Sequence, residues 1–129
     1  MSYNIIEGVT IRFSTSSATA PSGVIQIGSG QPFTSITGTI VDPDVVTFAY
    51  SVQGQTTVTY TYTAGQTPPD PTLTIVKTAV GTYQADISTT ALPGTWAYKW
   101  EGQPGVSGLD TTKTSAIFNG EVTISASNP

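Results

Sequence analysis

The chain has 129 residues, 37% of them hydrophobic, and a formal net charge of −4. That is enough for one domain with a real core and too little for two ordinary ones. The four cations, Arg12, Lys77, Lys99 and Lys113, are scattered, so no basic stripe exists to neutralise successive phosphates and no nucleic-acid partner is expected.

In chain order, residues 1–32 read as a segment apart from residues 33–129. The start, MSYNIIEGVT, lacks the basic and apolar regions of a signal peptide, and no apolar run approaches the roughly 20 residues that span a bilayer. A soluble chain with no membrane partner is expected. A strand over 9–14 (VTIRFS) is followed by the polar run 14–23 and a small apolar island, Val24-Ile-Gln-Ile27. Such a segment makes little core by itself. It reads either as a surface loop with an edge strand, or as an arm that orders against a neighbouring subunit through Ile5, Ile6, Val24, Ile25 and Ile27.

From residue 33 short β-type runs recur between turn signals: 33–41, 44–52, 56–63, 72–78, 82–88, 94–101 and 114–126. Thr, Val, Ile and aromatic residues fit a pleated surface, 13 Gly and 9 Pro punctuate it, and no segment has a helical period. The spacing predicts an antiparallel sandwich or barrel. Asp42-Pro43-Asp44 fits a turn that opens a strand, and Gln53-Gly54-Gln55 a tight hairpin with Gly at positive φ. Three prolines within 64–71 exclude that stretch from a sheet interior. Asn119-Gly120 reads either as a turn or as a bulge in one long strand.

Residues 94–101, GTWAYKWE, put Trp96, Tyr98 and Trp100 on one strand face, with Thr95, Ala97, Lys99 and Glu101 between them. A small sandwich needs large inward side chains, so Trp96 and Tyr98 are expected in the core, opposite rings such as Phe48, Tyr50, Tyr60 and Tyr62. Trp100, beside the loop at 102–108, stands between core and surface. Exposed, it would stack on a glycan or partner beside Gln103.

Catalysis is not expected, since the chain lacks His and Cys, and its eight acids sit singly or at turns. The missing Cys also removes disulfides and thiolate metal sites. Asp42 and Asp44 alone are too few for the about six to eight oxygens that Ca²⁺ takes, and would need Asp70 and Asp110 to converge on them. No cofactor is expected.

Leu92-Pro-Gly94-Thr-Trp96-Ala-Tyr98 resembles the entry to strand F of an immunoglobulin-like domain, with Trp96 where Tyr is usual and Tyr98 where antibody domains carry a Cys. A wider resemblance covers residues 38–102: Gly38-Thr-Ile-Val-Asp42-Pro43-Asp-Val-Val46-Thr-Phe48, then Thr59-Tyr-Thr-Tyr62, then Lys77-Thr-Ala-Val-Gly81-Thr-Tyr83-Gln-Ala-Asp86, then Pro93-Gly94-Thr-Trp96-Ala-Tyr98-Lys-Trp100-Glu-Gly102. This order resembles the Ig-like small structural proteins of tailed bacteriophages.

The resemblance implies an all-β, antiparallel immunoglobulin-like sandwich of about seven to nine strands with an N-terminal arm or edge strand. Trp96, Tyr98, Tyr83 and Phe48 would be its core signature. It further implies a non-enzymatic virion component, assembled in the host cytoplasm: a capsid decoration or cement protein on the major capsid protein, or a tail or connector module. A homo-oligomer on the particle is compatible with it. The other class is a carbohydrate-binding adhesion module using Trp100, Trp96 and Gln103.

Overall fold

The computed structural model describes residues 4–6, 8–15, 24–28, 32–34, 38–63, 72, 74–89, 93–103 and 116–125. Their β-branched and aromatic runs form nine strands: β1 (Asn4–Ile6), β2 (Thr10–Ser14), β3 (Val24–Gly28), β4 (Val45–Val52), β5 (Val58–Thr63), β6 (Ile75–Ala79), β7 (Thr82–Ser88), β8 (Gly94–Gln103) and β9 (Ala116–Ser125). One sheet has the order β1-β9-β8-β4-β5 and the other β3-β2-β7-β6. The pairs β1/β9 and β2/β3 are parallel and the remaining ladders antiparallel. This is an immunoglobulin-like β-sandwich, with β8 in the middle of the larger sheet and β2 and β7 central in the smaller.

Period-2 alternation aims one face of each central strand between the sheets. From the smaller sheet come Ile11, Phe13, Tyr83, Ala85 and Ile87, and from the larger Val46, Phe48, Trp96, Trp100, Val122 and Ile124, all at most 5% exposed. Rings bridge the layers: Phe13 lies 5.0 Å from Phe48 and 4.9 Å from Tyr98, and Tyr62 lies 5.3 Å from Tyr83, centre to centre. The four signature residues Trp96, Tyr98, Tyr83 and Phe48 therefore sit in or against one core.

Several expectations change. Residue 32 is not a boundary of the sandwich: β2 is an inner strand of the smaller sheet, and Ile11 and Phe13 are fully buried. Over 33–41, Thr34 and Ile40 form an isolated antiparallel bridge in place of a strand, with 35–37 outside the described residues. The backbone of this segment is drawn instead to the β6–β7 turn, where Phe33 N–H donates to Gly81 O at 2.9 Å and Val41 N–H donates to Phe33 O. The Gln53-Gly54-Gln55 turn forms as expected, closed by Gln55 N–H to Val52 O at 2.8 Å with Gly54 at φ 84°.

Asn119-Gly120 is neither a turn nor a bulge. The β8/β9 register runs unbroken through Lys99↔Asn119 and Tyr98↔Gly120. The sequence cue misleads because Gly120 serves packing: a Cβ there would stand 2.6 Å from the Tyr98 hydroxyl oxygen, so the missing side chain leaves room for the neighbouring ring.

Candidate functional site

Because the rings of β4 and β8 turn inward, the residues between them form the outside of the larger sheet. Ala49, Ser51 and Ala97 are small and are flanked by longer side chains: Ala49 and Ser51 on β4 lie opposite Lys99 and Ala97 on β8, and Ala97 lies opposite Glu121 on β9. Together with Thr57 and Asn119 they line a shallow, open depression of about 410 Å³. A second one, of about 340 Å³, shares Ser51, Ala97 and Glu121 and extends the trough to Gln53 and Thr95. Its floor is sheet backbone and short side chains, and its margins carry two amides, Asn119 and Gln53, one ammonium, Lys99, and one carboxylate, Glu121. Lys99 Nζ also lies 4.0 Å from Glu101 Oε1, a long surface contact that contributes little.

A face so open and flat cannot enclose most of a small molecule, which ligand pockets normally do. It suits another flat surface. Among the described residues no three His, Cys, Asp or Glu side chains gather where they could hold a metal ion.

Trp100 does not reach this face. It is 1% exposed, points at the other sheet and packs 4.7 Å from Phe48, so its reading as a glycan-stacking ring is overturned. The reason is strand parity: Trp100 shares the inward phase of Trp96, while Gln103, three residues on, falls on the outward phase with Ala97 and Lys99. The two proposed glycan contacts therefore lie on opposite sides of the sheet.

The arm residues are built into the sheets of their own molecule. Ile5 and Ile6 sit in β1, opposite Ile124 and Ser125 of β9, and Val24 opens β3 opposite Thr10. The side chains of Ile5, Ile6 and Val24 lie outside the described set. Ile25 is half-buried against the core, and Ile27, 1% exposed, belongs to the core and is no docking contact.

A second polar centre forms at the β6–β7 corner. Asp42 Oδ1 accepts from Gly81 N–H at 2.7 Å and from the Tyr83 hydroxyl at 3.1 Å, and Oδ2 accepts from Lys77 Nζ at 2.7 Å. Burial favours the neutral carboxyl, yet the bonds from Gly81, Lys77 and Tyr83 and the Lys77 charge together outweigh it and hold Asp42 below its ordinary pKa. Burial, then the charge and hydrogen bond of Asp42, push the Tyr83 phenol far up. An ammonium and two further donors fill the carboxylate, so this is a structural corner rather than a cation site. Asp70 and Asp110 lie outside the described residues.

The larger trough was hidden in the sequence by its neighbours. Its signal was the set Thr95, Ala97, Lys99 and Glu101, which must face outward once the rings between them face in.

No protein-family model and no curated protein matches the chain. Among solved structures, the extracellular portion of mouse CD200RLa is similar over 98% of this chain at 9% sequence identity and a TM-score of 0.44. This chain spans 55% of that structure's length.

Proposed function

We propose that the protein is a non-enzymatic docking module, a structural component of a tailed-bacteriophage particle that decorates the capsid surface. The observation that carries the docking role is the open face built from Ala49, Ser51, Ala97 and Asn119, backed by a core that takes every described Trp. Small side chains over a rigid sheet let a flat partner approach closely at little entropic cost. The virion assignment rests on the motif order over residues 38–102. Repeated copies on a symmetric shell multiply a modest single-site affinity.

The test is binding of purified protein to particles assembled without it. Ala97 is exposed at the centre of the trough, so Ala97→Arg leaves the fold intact while raising a bulky charge from the contact surface. Binding by the wild type and at least roughly tenfold weaker binding by Ala97→Arg is the expected result. Equal binding by both would move the contact to another surface. No binding by the wild type would overturn the capsid assignment.

A further inference from the structure

We propose that β5 is a self-pairing edge, through which two copies of this chain join their larger sheets into one continuous sheet about a two-fold axis. β5 pairs with β4 on one side, and among the described residues no strand pairs with its other side. Such an edge presents a row of unpaired backbone donors and acceptors, and soluble proteins usually blunt it with charge, proline or a register break. Two other edges are blunted here: β6 carries Lys77 and a register shift between Lys77 and Ala79, and β1 is three residues long. β5 is six residues, VTYTYT, with no charge, proline, glycine or register shift.

The strand is also complementary to itself. Thr59 and Thr61 are exposed on the outer face, while Tyr60 and Tyr62 turn inward, Tyr62 against Tyr83 and Tyr60 hydrogen-bonded to Tyr50. Antiparallel pairing centred on Tyr60 sets it opposite the partner's Tyr60, Thr59 opposite the partner's Thr61, and Val58 opposite the partner's Tyr62. Every pair then falls on a matching face. Aromatic pairs and Thr–Thr pairs are among the favourable cross-strand neighbours.

The occupant is a second copy for two reasons. The chain carries a net charge of −4, yet β5 is neutral, so this contact sets no like charges opposite one another. A two-fold pairing also consumes one edge per copy and closes on itself, giving a dimer rather than a filament. Val58, 36% exposed in the single chain, would be covered by it.

Sedimentation equilibrium of the full chain tests this from roughly 10 μM to 1 mM, because an edge contact is smaller than a standard interface and its dimer correspondingly weak. The wild type is expected to show a monomer–dimer equilibrium. The double variant Thr59→Lys with Thr61→Lys sets like charges across both flanking pairs and weakens association roughly tenfold or more. Thr59→Lys with Thr61→Glu sets opposite charges across the same pairs and restores it. Both threonines are exposed, so melting temperatures report whether each variant folds. A chain monomeric throughout the range, a dimer indifferent to the double lysine variant, or a Lys/Glu variant as weak as the Lys/Lys one would each overturn the proposal. None of these outcomes depends on the capsid assignment.

Discussion

Trp96 and Trp100 share a strand face and near-complete burial but differ in what their rings meet. Trp96 stacks on Tyr50 with 4.9 Å between ring centres and lies 6.3 Å from Phe13. Trp100 packs on Phe48, and its indole Nε1 is buried with no hydrogen-bond partner among the described residues. A buried donor left unmet costs about 1–3 kcal/mol. Replacing either indole by Phe loses apolar area, but at Trp100 the change also removes that unmet donor. Trp100→Phe is therefore expected to destabilise the fold by about 1 kcal/mol less than Trp96→Phe. Urea midpoints at constant m-value measure the difference. Gly81 is constrained in another way: at φ 70°, an added Cβ would lie 2.8 Å from Phe33 O and 3.0 Å from Val41 O. Backbone atoms cannot swing aside as a side-chain tip can, so the positive-φ penalty and the crowding add, and Gly81→Ala is expected to cost about 2–4 kcal/mol in the same experiment.

Among the elements, the β2/β7 pair is held at both ends by buried threonines. At one end Thr15 N–H donates to Tyr83 O at 3.0 Å, and Thr15 Oγ1 accepts from Tyr83 N–H at 2.9 Å. At the other, Thr89 Oγ1 donates to Val9 O at 2.7 Å and accepts from Gly8 N–H at 2.9 Å. On the outer face between them, Arg12 and Asp86 are cross-strand partners joined by two bonds of 2.9 and 3.0 Å. Thr89→Val keeps the shape and deletes the hydroxyl, leaving Gly8 N–H without this acceptor. A loss of about 1–3 kcal/mol is expected, with hydrogen exchange accelerating first at the β2 amides nearest Val9. Of the elements, β7 was legible to the residue, because its alternation is clean and its ends are marked by the turn at Gly81 and by Thr89. β1 was not legible: three residues carry no period, and their strand state comes from pairing with β9.

For the whole molecule, the Asp42 corner contributes to the pH dependence of stability on both the acid and the alkaline side. It ties the chain at Asp42 to the smaller sheet through Gly81, Lys77 and Tyr83. The folded pKa of Asp42 lies below its ordinary value of 3.8, so its contribution is present above that value and is lost as pH falls through the lower, folded one. Tyr83 and Lys77 are both raised from their ordinary values of 10.0 and 10.5. For Tyr83 burial is the main cause, and for Lys77 the hydrogen bond to Asp42. Their contributions are complete below the unfolded values and are lost as pH rises through the folded ones. Unfolding free energy against pH is therefore expected to be flat between about pH 5 and pH 9 and to fall on both sides. Asp42→Asn should lower the plateau and flatten the acid limb, since its side chain no longer titrates. An acid limb unchanged in Asp42→Asn would place the acid sensitivity elsewhere.

The sequence by itself determined the class of the fold: strand spacing, the hairpin at Gly54, the clean alternation of β7 and the inward phase of Trp96 all follow from local pattern, because strand parity and turn chemistry are properties of neighbouring residues. The missing His and Cys likewise limited the chemistry open to any site. Tertiary structure decided what depends on distant partners. It absorbed Ile27 and β2 into the smaller sheet, straightened the chain through Gly120 under Tyr98, and drew Phe33 to the Gly81 turn. The outward trough and the β5 edge, which no described strand pairs, belong to this second group. A surface exists only after the opposite face has been buried, and an edge only after the order of strands has been set.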